Sequence, residues 1–295
     1  MSSLFGIPLP AILGQLMLGL VNGSFYALLS LGLAVIFGLL GVVNFAHGAF
    51  YMLGAFTAFV GLEKFGLGYW WALFLGPLAV GLLGIVMERL FLRHLYRLDP
   101  LYGLLLTFGI ALIAEGVMRA HYGSSGNYYP VPDLLKGGLH LGFMVLPVYR
   151  AWVIGASLFV CLVTWFVIER TSLGATLRAA TENARLVQAF GINVPLLVTC
   201  TYGGGVALAA LAGVLSAPII QVSPLMGSSL VIVVFAVVVI GGMGSIGGAI
   251  VSGLVLGVIE GLTKVVYPEA SNIVVFVIMA VVLVWRPAGL FGRES

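Results

Sequence analysis

The chain has 295 residues, of which 61% are hydrophobic and only 8% charged, with a formal net charge of +3 and a mean hydropathy of +1.19. A soluble domain carries about 25% charged residues, so a soluble fold is excluded, and a charge this small and scattered excludes a nucleic-acid binder. Without period-two alternation a transmembrane β-barrel is excluded too, which leaves an all-α polytopic membrane protein.

Apolar runs lie at 9–40, 48–62, 69–91, 101–120, 148–168, 195–216, 228–245, 248–266 and 271–285. A bilayer needs roughly 20 apolar residues per span, so these predict about nine transmembrane helices (8–10), some of them broken or re-entrant. They form one transmembrane domain over 1–295. No basic stretch precedes the first run, so the reading is a helix that directs its own insertion, not a cleaved signal. That run fits one tilted or broken span, or two short ones.

It leads into "GVVNFAHGAF" (41–50), where Asn44 and His47 stand in apolar surroundings between Gly41 and Gly48. Polar groups at membrane depth are expensive and point to function. An amide or a neutral imidazole can hold backbone groups freed by a helix break, or can touch a substrate; a proton relay is disfavoured, since no carboxylate lies nearby in sequence. Further along, Glu88 next to Arg89 reads as interfacial. Glu115 with Arg119, and Glu260 with Lys264, read as i,i+4 pairs. Cys161 and Cys200 have no metal-ligand spacing and read as packing residues. The segment 121–147, rich in Gly, Pro and Asn, reads as irregular.

Residues 169–193 form the longest connection on the side assigned below to the cytoplasm. Leu173, Leu177, Ala180, Ala184 and Val187 recur at three- and four-residue steps and predict one short amphipathic helix over 173–191. Arg178, Glu182 and Arg185 take its other side, Gly174 and Gly191 bracket it, and Gly191 suits a C-cap. Such a helix is either a solvated or interfacial one stabilised by i,i+4 pairing, or a docking element for a cytoplasmic partner. "VVIGGMGSIGGAIVSGLVLG" (238–257) shares the layout of 37–55: an apolar run, a glycine break at Gly241, Gly244 and Ser245, then a small-residue helix. Matching breaks in two halves mark the substrate pathway in repeat-built transporters.

Orientation follows from Lys and Arg. One set of loops holds Arg89, Arg93, Arg97, Arg170, Arg178, Arg185, Arg286 and Arg293; the other holds Lys64, Arg119, Lys136, Arg150 and Lys264. The richer set is assigned to the cytoplasm, which puts the N-terminus and 121–147 outside and the C-terminus inside. No G-x-x-x-x-G-K-[ST], HExxH, CxxC or GxSxG occurs, so nothing here cradles ATP. His47, His94, His121 and His140 are too scattered for an enzyme site, and paired intramembrane charges of the kind a secondary transporter uses are not evident.

"NGSFYALLSLGLAVIFGLLGVVNFAHGAFYMLGAF" (22–56) resembles the N-terminal signature of the branched-chain amino acid ABC transporter permeases of LivH type. "LYGLLLTFGIAL" (101–112), "TSLGATLRAATENARLVQAFGIN" (171–193), "VIGGMGSIGGAIVSGLVLGVIEGL" (239–262) and "RPAGLFG" (286–292) are similar to that family in order along the chain. One departure is Ala49, where many relatives carry an acidic residue. The resemblance implies a multi-pass importer permease in the bacterial inner membrane. It implies a pathway near Asn22, Ser24, Asn44, His47, Gly48, Gly241, Gly244 and Ser245. It also implies that the 171–193 loop couples to the ATPases through Gly174, Leu177, Arg178, Ala180, Glu182, Asn183, Ala184, Arg185 and Gly191. The implied partners are a second, related permease, two ATPase subunits that carry ATP and Mg, a periplasmic substrate-binding protein and membrane lipid. This chain itself would bind no cofactor. Related permeases carry branched-chain or other neutral amino acids, urea or aromatic acids.

Overall fold

The structure is a computed structural model that describes residues 3–4, 7–41, 44–96 and 98–292. Arg97 and Arg293 of the charge count lie outside them. Among the described residues, nine apolar helices occupy the expected runs: α1 (Leu9–Leu40), α2 (Ala46–Phe65), α3 (Tyr69–Leu90), α4 (Pro100–Tyr122), α5 (Val148–Arg170), α8 (Val194–Ser216), α9 (Met226–Gly241), α10 (Ile246–Val266) and α11 (Val274–Trp285). Two short polar helices, α6 (Ser172–Glu182) and α7 (Ala184–Ala189), fall between α5 and α8. Among the described residues, six helices are long and apolar enough to cross a bilayer, while α9 and α11 have only 16 and 12 residues. The first run is one continuous helix of 32 residues. At 1.5 Å per residue it reaches about 48 Å, more than a bilayer core of about 30 Å.

The chain divides into two compact units. The first comprises Met1–Ser30, Val131–Cys161 and Val233–Ser295, and the second comprises Leu31–Pro130 and Leu162–Ile232.

In the first unit α1 and α10 meet along a glycine seam. A Cβ on Gly19 would lie 2.6 Å from the Gly257 carbonyl, and one on Gly253 would lie 2.5 Å from the Ala27 amide. Without a strong hydrophobic drive inside lipid, such close backbone approach is what dispersion forces reward. Polar groups pin the seam: Tyr26 donates to Glu260 Oε2 at 2.6 Å and Ser30 to the Ala249 carbonyl at 3.1 Å. Lys264 pairs with Glu260 at 2.6 Å, as the i,i+4 spacing predicts. The segment 131–147 is more ordered than its composition suggests. After a 3-10 turn at Asp133–Leu135, strands β3 (Gly138–His140) and β4 (Val145–Pro147) form a hairpin with Leu139 opposite Leu146. The alternation in "GLHLGFMVLP", with Gly142 at a positive φ of 80° in the turn, is the strand signal that the Gly and Pro content masks. At the start of the chain β1 (Ser3–Leu4) pairs with β2 (Ile7–Pro8).

In the second unit α2, α3 and α8 form the core, again with glycines at the crossings. Gly54 faces the Ala210 backbone, Gly213 faces Tyr51, and Gly76 and Gly84 receive Val214 and Val206. Capping sets the helix starts: Asp99 accepts from the Leu101 amide at 2.9 Å, and Asn193 accepts from the Leu196 amide at 3.1 Å. Glu115 and Arg119 form the expected i,i+4 pair at 2.7 Å. Cys161 is buried, but Cys200 is exposed on α8, so packing accounts for only the first.

Candidate functional site

The site begins where α1 stops. Gly41 takes φ +64°, with its amide on the Phe37 carbonyl at 2.8 Å, and the helix cannot continue. Asn44 then caps α2: its Oδ1 accepts from the Ala46 amide at 3.0 Å, and its carbonyl accepts from the His47 amide at 3.2 Å. Its Nδ2 donates to the Tyr202 hydroxyl of α8 at 3.0 Å, and that hydroxyl reaches the Met87 sulfur of α3 at 3.6 Å. The Phe45 amide donates to Thr107 Oγ1 of α4 at 3.2 Å. Amides exposed by the break are therefore met locally by Asn44 and, for Phe45, by Thr107 of the neighbouring α4, as apolar surroundings require. Asn44 and His47 are each about 1% exposed. The His47 ring lies against α1, where a Cβ on Gly32 would come within 3.0 Å of its Cε1. Gly48 is packed backbone to backbone on Gly227 at the start of α9.

Next to the break is a recess of about 60 Å³, lined by Phe45, Ala49 and Met52 of α2, Phe108 and Glu115 of α4, and Ser228 of α9. It is apolar apart from Glu115 and Ser228 and too small for an amino acid, with room for only a few waters.

Glu88, read from the sequence as interfacial beside Arg89, is about 1% exposed within the protein and accepts from Thr199 Oγ1 at 2.7 Å and from the Tyr96 hydroxyl at 2.8 Å. The hydroxyl donors come from α8 and from the turn after α3, and they replace the water the carboxylate would otherwise need.

The second glycine break belongs to the first unit. α9 ends at Gly241, Gly242 and Gly244 take φ of 97° and 85°, and Ser245 caps α10 by accepting from the Gly248 amide at 3.1 Å. Gly241 packs on Gly248. The carbonyls of Ile240 and Gly241, orphaned at the helix end, accept from the amides of Leu290 and Phe291 at 2.8 and 3.2 Å. "RPAGLFG" is thus a strap across this break. Asn22 is half-buried on α1, and Ser24 is buried with its hydroxyl on its own helix at the Leu20 carbonyl, 2.8 Å away.

The expected single helix over 173–191 is two. Asn183, at φ −148° and ψ 87°, leaves the helical region and accepts from the Leu186 amide at 3.0 Å, starting α7. Its side chain competes for the backbone, as Asn does at caps. Gly191, at φ 83°, ends the element with its amide on the Gln188 carbonyl at 2.9 Å. The stripe of 173–191 is also re-divided. Leu177, Ala180 and Val187 are buried, and Ala180 and Val187 pack on Val194, Leu197 and Val198 of α8. Leu173 and Ala184 are exposed instead. Gly174 is buried in the first turn of α6, where a Cβ would collide with the Ile168 carbonyl oxygen. Arg178 donates to that carbonyl at 3.0 Å and pairs with Glu169 at 3.4 Å, not with Glu182. Glu182, Arg185, Leu186 and Phe190 face outward, Leu186 being 55% and Phe190 78% exposed. The sequence reading missed Leu186 and Phe190, although their four-residue spacing was visible. Beside this element, α5, α6 and α8 frame an apolar cleft of about 300 Å³ that includes Val167, Leu173, Leu177 and Cys200.

Comparison with known proteins finds relatives over almost the whole chain. The family described as "Branched-chain amino acid transport system / permease component" matches residues 15–283. The high-affinity branched-chain amino acid transport system permease protein BraD of Pseudomonas aeruginosa is 31% identical, covering 96% of each chain. LivH of Escherichia coli K12, of the same description, is 30% identical over 96% of each, and LivM of that strain is 27% identical over 90% of this chain and 67% of its own. No solved structure matches. A multi-pass helical chain broken at a capped asparagine, with matching relatives along its length, belongs to the family of branched-chain amino acid transport system permease components.

Proposed function

We propose that this chain is the membrane-spanning subunit of an ATP-driven ABC importer for branched-chain amino acids in the bacterial inner membrane. Full-length similarity to BraD and LivH supports the substrate class. The observation that carries the mechanism is the α6–α7 element. Its inner face is packed on α8, and its outer edge leaves Leu186 and Phe190 uncovered beside Arg185. Two cytoplasmic ATPases, which hold the ATP and Mg, press on that edge. A second permease, related to this one as LivM is to LivH, completes the pathway, and a periplasmic protein delivers substrate. The arginine-rich loops lie in the cytoplasm, with the N-terminus outside and the C-terminus inside. The Asn44 break braces the pathway from within the protein, holding α2, α4 and α8 together at the start of α2.

The test is uptake by the complete complex in proteoliposomes, with labelled leucine, isoleucine and valine and with urea and an aromatic acid as competitors. The expected result is uptake that needs ATP on the cytoplasmic side and is displaced by the aliphatic amino acids alone. Uptake driven by an ion gradient without ATP would overturn it.

A further inference from the structure

Glu88 is a buried carboxylate to which the pathway assigns no task. Its two oxygens are taken by two elements: Tyr96 in the turn after α3 at 2.8 Å, and Thr199 in the second turn of α8 at 2.7 Å. Burial, and then Glu88 as acceptor, push the Tyr96 hydroxyl far above its ordinary value, so it stays a donor. The neighbouring residue, Met87, meets Tyr202, one turn beyond Thr199, and Tyr202 holds Asn44 at the helix break. On its other side the start of α8 carries Val194, Leu197 and Val198, the residues that α6 and α7 pack against. One stretch of α8, 194–202, thus touches the coupling element first, Glu88 next and the Asn44 break last.

The glycine contacts between α3 and α8 lie further along: Gly84 against Val206, and Gly203 against Ile85. Dispersion contacts of this kind hold the two helices close, but each is weak and without direction. Hydrogen bonds to a carboxylate are directional and strong where water is excluded. A push on α6–α7 needs such a fixed point to travel along α8 as a rigid displacement.

We propose that Glu88 is a positioning residue for transport: it locks the start of α8 to the end of α3, so that movement of α6–α7 reaches the Asn44 break instead of being lost as slip. The proposal rests on the ABC-importer reading above. The physical warrant is one continuous chain of contacts, and coupling itself is what the experiment measures.

The experiment compares Thr199→Val, which keeps shape and removes the donor, with Thr199→Ser, which keeps the donor, and adds Tyr96→Phe on the other oxygen. Each is assembled with its partners in proteoliposomes, and leucine taken up per ATP hydrolysed is measured per intact complex. In Thr199→Val, ATP hydrolysis continues while uptake per ATP falls roughly tenfold. Tyr96→Phe lowers the same ratio by a smaller factor, and Thr199→Ser stays near the parent. If Thr199→Val keeps the parent's uptake per ATP, even with less complex assembled, Glu88 is merely structural and the proposal fails. If Thr199→Val does not assemble, Tyr96→Phe decides by the same ratio. A parent complex that never couples ATP to uptake would instead refute the importer reading, before any variant is compared.

Discussion

Asn44 shows how much one side chain does in apolar surroundings. Its Oδ1 caps α2 by accepting from the Ala46 amide, and its Nδ2 holds Tyr202 of α8. Asn44→Leu leaves the Ala46 amide without its acceptor and the Tyr202 hydroxyl with only the Met87 sulfur, and a buried unsatisfied group costs about 1–3 kcal/mol. The variant is expected to reach the membrane in normal amount but to lose most uptake, which immunoblotting and transport measured together will check. Parent-like uptake would mean that the break needs no brace. Gly174→Ala is expected to be destabilising by about 1–3 kcal/mol, because its methyl group lands on the Ile168 carbonyl and neither backbone can yield. Thermal inactivation in detergent measures it. At this scale the sequence was legible where a residue contradicts its own surroundings. Asn44 does so between glycines in an apolar run. Glu88 does not: its partner Thr199 is 111 residues away, and nothing local distinguishes a buried carboxylate from one at the interface.

At the scale of elements, α6–α7 was legible as amphipathic but not as two pieces. A stripe counted every three or four residues assumes one uninterrupted helix, and the non-helical Asn183 resets the phase, which turns Ala184 outward. Nor does a stripe say what covers it. Here the chain's own α8 covers it, so Leu177→Asp would bury a charge within this subunit and loosen the element itself. Phe190→Asp, at the exposed edge, leaves α6 and α7 intact and is expected to abolish co-purification of the ATPase. Limited proteolysis separates the two: early cleavage near 183 for Leu177→Asp, and a parental pattern for Phe190→Asp. Normal ATPase recovery with Leu186→Asp and Phe190→Asp combined would show that the contact lies elsewhere.

Across the whole molecule, the positions of the apolar helices among the described residues followed from hydropathy, since a bilayer demands long uncharged runs. The partition into two units did not, because each is assembled from separated stretches of chain that no local pattern connects. The glycine-rich runs signalled close packing without naming the partners: Gly19 finds Gly257, and Gly48 finds Gly227. Orientation is open to a direct measurement. With Cys200 and Cys161 replaced, a Ser245→Cys variant is expected to react with a membrane-impermeant thiol reagent from the cytoplasmic side. Labelling only from outside would invert the assignment. The strap at 286–292 gives another expectation: Gly289→Val, at φ 82° and against Gly242, should release Leu290 and Phe291 from the end of α9 and lower the thermal midpoint of the subunit.

The ribosome makes the two sides of the α1–α10 seam far apart in time. Tyr26 and Glu260, which close it, are separated by 234 residues, and at about 5–20 residues per second α1 waits tens of seconds for its partner. Through that interval Gly19, Gly23, Tyr26 and Ser30 face lipid or a borrowed surface. The second unit can form the Gly48–Gly227 crossing before α10 emerges. A chain truncated near residue 250 would therefore carry a finished second unit and an orphaned first part of α1, the kind of substrate that membrane insertases shelter and membrane proteases remove.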